Sequence, residues 1–428
     1  MKKFLMVALG FSMGANAGGP VCSPNAGTAF TDYLNKAYTI NNDALGTNTL
    51  FEQCSNMSDQ QAISVLNGCG PLTHPINGLG MNPVDQFLYG LMPTDTMGIG
   101  THVSFDVFPF PSPGEPGDMM KADPVDVYRI GNDGGYERIG SIAPATEDLG
   151  PPGLPAGEEQ VIPIIHTASS FDVAGNLFVL GYKTNYESSA DVMAGTGEVL
   201  YKAPKIMIGQ VSSANLTAAA GGTIPAIWAE ADTSGSCAAV MNQFAVRTNT
   251  FSECVVADYI ANGNENSAVA ACLASTSVLD FGIHDFAVSP LNGNYYAFDT
   301  MTIDGTDVLI EVDANTMQTT CTDYPDVGNS TGVLSSLMFS QQNKLVAVFA
   351  DETTGRWIDV TTGTLTTLTD SIIPFPFGDG SSLPFAIPRG VNRSVAGLVD
   401  LIFKNGFEDL IFAHGFDATL PAPTCPAF

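Results

Sequence analysis

Five histidines, His74, His102, His166, His284 and His414, are the side chains of this 428-residue sequence best suited to proton transfer or metal ligation near neutral pH. His166 and His284 stand at nearly equivalent places, each just before a strand-like motif that recurs along the chain, and Asp285 follows the second. Two imidazoles and a carboxylate converging on one point would form a ligand or metal site. The competing reading makes each of them a turn or rim residue bonded to backbone, and it is favoured because Asn77 and Ser335 hold the related places in other copies of the motif. The acidic turn Asp304, Gly305, Thr306, Asp307 could hold calcium. Ordinary side-chain capping of a turn accounts for it equally well, and no other cofactor is expected. No linear catalytic motif stands elsewhere. The one G-x-S-x-G, at Gly10, Ser12 and Gly14, falls in an apolar leader, and there is no phosphate-binding glycine loop, H-E-x-x-H or calcium-binding EF loop.

The elements that must position these residues are repeats. Four segments end in a small-residue turn and an aromatic or aliphatic pair: LGMNPVDQFLYGL from Leu79, SSFDVAGNLFVLG from Ser169, FAVSPLNGNYYAF from Phe286 and LMFSQQNKLVAVF from Leu337. A second strand-turn-strand follows each, from Val125, Pro204, Val308 and Gly355, and Ala37 opens a fifth copy. β-Branched and aromatic residues broken by Asn-Asp-Gly or Thr-Thr-Gly make antiparallel strands, because those turn residues tolerate positive φ or cap their own backbone. Each unit is therefore a four-stranded sheet. Such sheets bury their faces only by stacking on one another around an axis, which predicts an all-β fold, a β-propeller with short helical insertions.

The motif recurs at Tyr89, Phe178, Tyr296 and Val346, so the intervals are irregular. The two long ones hold either a blade whose motif has decayed or an inserted loop, with Ile224 to Ala229 and Gln243 to Phe251 as candidate strands of such a blade. The expected count is about six blades, five or seven being compatible. The propeller is placed at residues 18–396. Within it, 228–280 reads as a cysteine-containing insertion or decorated blade. The tail, 397–428, carries a tandem nonamer, DLIFKNGFE from Asp400 and DLIFAHGFD from Asp409. Leu401, Ile402, Phe403, Leu410, Ile411 and Phe412 of that tail either close the fold or belong to a separate sorting element.

Lys2 and Lys3, the apolar run from Phe4, and Ala15, Asn16, Ala17 are the three parts of a secretory signal peptide, residues 1–17, cleaved between Ala17 and Gly18. The apolar run is too short to span a bilayer, and no other run is long enough. The chain has 15 Lys plus Arg against 44 Asp plus Glu, a net charge of −29. That field repels phosphate backbones and anionic membranes, so neither nucleic acid nor a membrane span enters the expected partners. Eight cysteines in an exported chain favour disulfides over metal chemistry. Cys54 and Cys69 flank a segment in which Ser58 and Gln61 are spaced to cap a short helix, which suggests that they pair. Cys254 and Cys272 lie in helix-like segments and are further candidates; Cys22, Cys321 and Cys425 cannot be assigned.

INGLGMNPVDQFLYGL, VYRIGNDGGYERIG, SSFDVAGNLFVLG and DFAVSPLNGNYYAF together resemble a bacterial family of secreted propeller-like domains of unknown function, found alone or attached to surface and adhesin-type proteins. The tail resembles a short motif, I-F-x-x-G-F followed by Glu or Asp, that ends many exported gammaproteobacterial proteins. Neither resemblance carries a catalytic residue to this chain. The acidic surface, the disulfide-capable cysteines, the inserted loops and the want of a catalytic motif fit an exported, non-enzymatic module, periplasmic, at the cell surface or extracellular, that binds an extracellular protein or glycan. A propeller hydrolase or lactonase with a channel metal is the alternative, and a structural envelope component the third.

Overall fold

The structure is a computed structural model. It describes residues 27–30, 36–42, 48–54, 61–66, 76–93, 124–143, 145, 159–188, 199–201, 203–246, 250, 254, 261, 283–299, 306–325, 334–340, 344–349, 356–360, 362–367 and 378–382. Five sheets, antiparallel but for one short strand, account for most of them. Blade 1 is assembled from both ends of this set: β1 (Lys36–Asn42), β2 (Asn48–Cys54) and β3 (Gln61–Val65), with β22 (Gly378–Ser382) on the free side of β1. Blade 2 is β4 (Asn77–Met81), β5 (Leu88–Pro93), β6 (Val125–Ile130) and β7 (Tyr136–Ile142). Blade 3 is β8 (Glu159–Phe171), β9 (Leu177–Ser188), β11 (Lys205–Val211) and β13 (Ile227–Glu230), with β10 (Val199–Tyr201) beside the far end of β9. Blade 4 is β14 (Ile283–Val288), β15 (Tyr295–Asp299), β16 (Thr306–Val312) and β17 (Thr319–Pro325). Blade 5 is β18 (Leu334–Phe339), β19 (Leu345–Phe349), β20 (Arg356–Asp359) and β21 (Thr364–Thr367).

The first strands β4, β8, β14, β18 and β22 touch in that order, and β22 returns to β4, so the ring closes at five blades. A sixth has no place in it. Tyr89, Phe178, Tyr296 and Val346 all fall on second strands, which makes the sequence motif a register mark, and among the described residues of the long intervals between them the only ring strands are β8 and β14. Of the two candidate strands for a hidden blade, one is β13, the outer strand of blade 3, and residues 243–246 are helical. The chain between β11 and β13 forms a short helix α1 (Ser213–Ala218), capped by Ser212, whose hydroxyl accepts from Asn215 N. It then lays β12 (Thr223–Ile224) parallel to β7 of blade 2. The capped helix expected after Cys54 is not formed at Gln61, where residues 61–65 pair with β2 instead. Its apolar residues are spaced two apart at Ile63 and Val65, a strand period, and pairing with β2 overrides the capping signal.

Strands of an open sheet alternate apolar and polar, but β15, β18 and β19 are buried at every position. The reason is packing on both faces. In β15, Tyr295 and Ala297 join the cluster shared with blade 3 (Phe178, Leu180, Ile208), whereas Tyr296 and Phe298 join the one shared with blade 5 (Leu337, Phe339, Leu345). Tyr38 and Ile40 meet Met81 and Leu88 between blades 1 and 2, and Tyr89 meets Phe171 between blades 2 and 3 with ring centroids 5.2 Å apart. Among the described residues the smallest cluster is that between blades 5 and 1, where Ala37, Met338, Val346 and Val348 are the buried members.

Turns between first and second strands are closed by their own side chains. Asp172 Oδ1 accepts from Ala174 N and Asn176 N, at 2.9 and 2.8 Å, and Gly175 sits at φ +78°. Gly293 fills the same role at φ +76° in the β14–β15 turn. Outside the blades, residues 235–246 fold back over blade 3. Cys237 in that segment is disulfide-bonded to Cys321 on β17 of blade 4.

Candidate functional site

Five strands converging on one axis leave room only for small or precisely placed side chains, and the inner ring is built from Gly78, Gly80, Ser169, Ser170, Ser335, Ser336, Gly378, Gly380 and Ser381. A Cβ on Gly80 would stand 2.6 Å from the Phe171 ring, and one on Gly380 would stand 2.7 Å from Met338 Cε and 2.8 Å from Thr39 Cγ2. Four of the five ring strands carry an irregularity of pairing, between Asn77 and Gly80, Ile165 and Ser169, Ile283 and Phe286, and Leu334 and Ser336. A bulge turns backbone amides out of the ladder, and these must be satisfied by something else.

The ring side chains do this, and every joint between neighbouring blades is crossed at least once. Asp285 Oδ2 on β14 accepts from Leu337 N on β18 at 2.6 Å, while its Oδ1 accepts from Phe286 N at 2.7 Å. Asp379 on β22 repeats the arrangement: Oδ2 accepts from Leu79 N on β4 at 2.5 Å and Oδ1 from Gly380 N at 2.6 Å. Ser381 Oγ accepts from Met81 N at 2.9 Å, and Ser170 Oγ from Val288 N at 3.2 Å. Ser336 donates to Gly380 O at 3.4 Å, and Ser169 donates to Gly78 O. Together these bonds run blade 2 to 3, 3 to 4, 4 to 5, 5 to 1 and 1 to 2.

Asp285 is 2 % exposed and Asp379 0 %. Burial is the leading cause that pushes both upward: Asp285 lies well above the usual carboxylate range, held there next by the Asp379 charge, and Asp379 is pushed up to about 7.

His166 lies on β8 and His284 on β14, each within the bulged stretch of its strand, which makes their backbone positions equivalent. Their side chains lie outside the described residues. Asp285 was legible as a ring residue from its place in the motif, but Asp379 was not, because GDGSS carries none of the aromatic marks of the other copies. Asp304 and Gly305 of the proposed calcium turn lie outside the described residues, as do Cys69, Cys272, Cys22, Cys425, the leader with Ala17 and Gly18, and the tail. Cys254 is disulfide-bonded, and among the described residues no group of three or more His, Cys, Asp or Glu side chains is arranged to hold a metal ion.

A second concave feature, a cavity of about 410 Å³, lies where the outer edge of blade 3 meets the 235–246 segment. Lys205, Glu230, Asp232, Ser234, Met241 and Asn242 line it. Glu230 is held by Lys205 and, at 3.4 Å, by Lys183, and the hydrogen bond from Lys205 is the main influence lowering its carboxyl below the usual range against the opposing effect of burial.

No family model and no curated protein matches the sequence. Solved structures of similar outline include a nidogen/laminin complex, at 11% identity over 81% of this chain and 82% of that one with a TM-score of 0.33. A streptogramin B lyase is similar at 8% identity over 83% and 72%, with a TM-score of 0.29. A third, described as a putative 6-phosphogluconolactonase from Bacteroides fragilis, is similar at 11% identity over 81% and 97%, with a TM-score of 0.32. At these scores none carries an argument about this chain, whose assignment as a five-bladed β-propeller rests on its own strand order and ring closure.

Proposed function

We propose that the protein is an exported, non-enzymatic propeller that recognises an extracellular protein or glycan through the faces and rim of the disc. The observation that carries this reading is the fate of the inner-ring polar groups. Asp285, Asp379, Ser169, Ser336 and Ser381 are buried, and each spends its oxygen on the blade next to it. Carboxylates that accept two amides apiece are poor ligands for a cation, which would have to displace all of those bonds. Recognition then belongs to the turns and insertions, where repeat proteins commonly bind. The Cys237–Cys321 disulfide and the leader suit an oxidising compartment.

The alternative, a hydrolase or lactonase with a metal on the axis, predicts a stoichiometric divalent ion. The protein purified without added ions should carry far less than one ion per chain by elemental analysis, and should give saturable binding to an extracellular glycan or protein in calorimetry. One tightly held ion per chain, lost together with Asp285 or Asp379, would refute the proposal and favour the enzyme. Absence of both ion and ligand would leave the structural reading in its place.

A further inference from the structure

The cavity of about 410 Å³ at the outer edge of blade 3 falls within the size range of small-ligand sites, roughly 300 to 1,000 Å³. Its walls come from three places. Lys205 opens β11 and Glu230 ends β13, two strands paired through Met207 and Glu230. Asp232 leaves blade 3 and is held by blade 4: its amide donates to Met317 O at 2.7 Å, and its carbonyl accepts from Thr319 N at 3.1 Å and Thr319 Oγ1 at 2.7 Å. Ala238, Met241 and Asn242 belong to the 235–246 segment, which is fastened to β17 by the Cys237–Cys321 disulfide and by the bond from Cys321 N to Ser236 Oγ at 3.0 Å. A site tied down in this way loses little freedom when it is filled, which favours affinity.

The lining offers both hydrogen-bonding senses beside an apolar part. Glu230 and Asp232 accept, the Lys205 ammonium donates, and the Thr233 and Ser234 hydroxyls and the Asn242 amide do both. Ala203, Ala231, Ala238 and Met241 supply the apolar part.

Charge decides between ligand classes. Lys205 and, at 3.4 Å, Lys183 both pair with Glu230, so two ammonium groups stand against the two carboxylates and the site is balanced. The chain around it carries a net charge of −29. An anion would meet that field as repulsion, and a cation gains little from a site that two lysines already neutralise. A neutral molecule dense in hydroxyls suits it: O–H groups donate to the carboxylates and accept from Lys205, while the C–H face of the ring lies on the alanines and Met241.

We propose that this cavity is a subsite for a sugar residue of a neutral glycan, with Asp232, Glu230 and Lys205 as its polar contacts. The assignment rests on the reading of the protein as a binding module and narrows its ligand from protein or glycan to glycan.

The test is calorimetry of the full chain, disulfide intact, against oligosaccharides of glucose, galactose, mannose and N-acetylglucosamine. Oligomers of a uronic acid and of glucosamine serve as the anionic and cationic probes. At least one neutral oligosaccharide should bind saturably, with an affinity that changes less than about twofold between about 50 mM and about 500 mM salt, because no ion pair is formed. Asp232→Asn and Lys205→Met should each weaken that binding at least about tenfold, the size of one hydrogen bond to a charged group, at an unchanged melting midpoint, since both side chains are exposed. Should one variant fail to fold, the other decides. Neutral binding that neither substitution weakens overturns the subsite and leaves the wider reading standing. Preference for the uronate or glucosamine oligomers, lost as salt rises, overturns the argument from charge and with it the proposal. Binding of none of the probes overturns it too; an extracellular protein bound by the same sample then keeps the wider reading, and one tightly held divalent ion per chain removes it.

Discussion

Replacing Cys237 and Cys321 together by alanine should weaken the fold by up to about 4.5 kcal/mol, the loss of unfolded-chain entropy expected when a loop of this size is no longer closed. The loop follows from a sequence separation of 84 residues, which spans from the segment beside blade 3 to the outer strand of blade 4. That figure is an upper bound, because the segment keeps other ties to β17. Asp232 N donates to Met317 O at 2.7 Å, Thr319 N and Thr319 Oγ1 both donate to Asp232 O, and Cys321 N donates to Ser236 Oγ at 3.0 Å. Cys237 is also fully buried beside Val240, Met241 and Phe244 in the cluster of blades 3 and 4, which is why alanine rather than serine is the proper replacement. The assay is urea unfolding of both proteins without reductant, read as midpoint and slope. A loss of about 2 to 4.5 kcal/mol with a steeper slope, from a less compact unfolded chain, is the expected outcome. A loss below about 1 kcal/mol, with the linked peptide confirmed by mapping of the unaltered protein, would show that the two blades hold together without this constraint and refute the reasoning.

Phe171→Ala should cost about 3 to 5 kcal/mol by thermal or urea unfolding, since the ring is 1 % exposed and stacks edge-on to Tyr89. Gly80→Ala should be destabilising alone and much less so when combined with Phe171→Ala, because the ring is what the new methyl meets; additive losses would contradict the close approach. Deleting residues 397–428 should leave the melting midpoint unchanged, because β22 at Gly378–Ser382 already supplies the inner strand of blade 1, while delivery or retention at the cell surface should change; a drop of many degrees would place the nonamers in the fold.

The fold class was legible because the propeller writes the same turn chemistry at each first hairpin. Asp172 to Asn176 and Ser289 to Asn294 close the same loop with different residues. The blade count was harder to read, since a chain that inserts α1, β12 and the helical segment 235–246 beside blade 3 stretches the interval without adding a ring strand. Gln61 to Val65 misled for a different reason. Five residues with a capping spacing satisfy a local helix rule, yet β2 offered a ladder that a helix there would have left unpaired. The hub escaped sequence reasoning almost wholly, because Asp285 and Asp379 reach the amides of neighbouring blades only after the ring has formed, and GDGSS looks like a linker until β1 is placed beside it.

The way blade 1 is completed bears on how the protein comes into being. Its outer three strands leave the synthetic machinery first and its inner one last, and the bond from Leu79 to Asp379 joins residues 300 positions apart. Until Gly378–Ser382 has been made the edge of β1 must therefore wait without a partner, a row of open amides and carbonyls of the kind that recruits foreign strands. Such long-range pairing is slow, and it leaves the half-made disc exposed to aggregation. A holdase that covers β1 until Gly378–Ser382 emerges would shorten that exposure, and depletion of it should trap chains whose other blades are formed but whose circle is still broken.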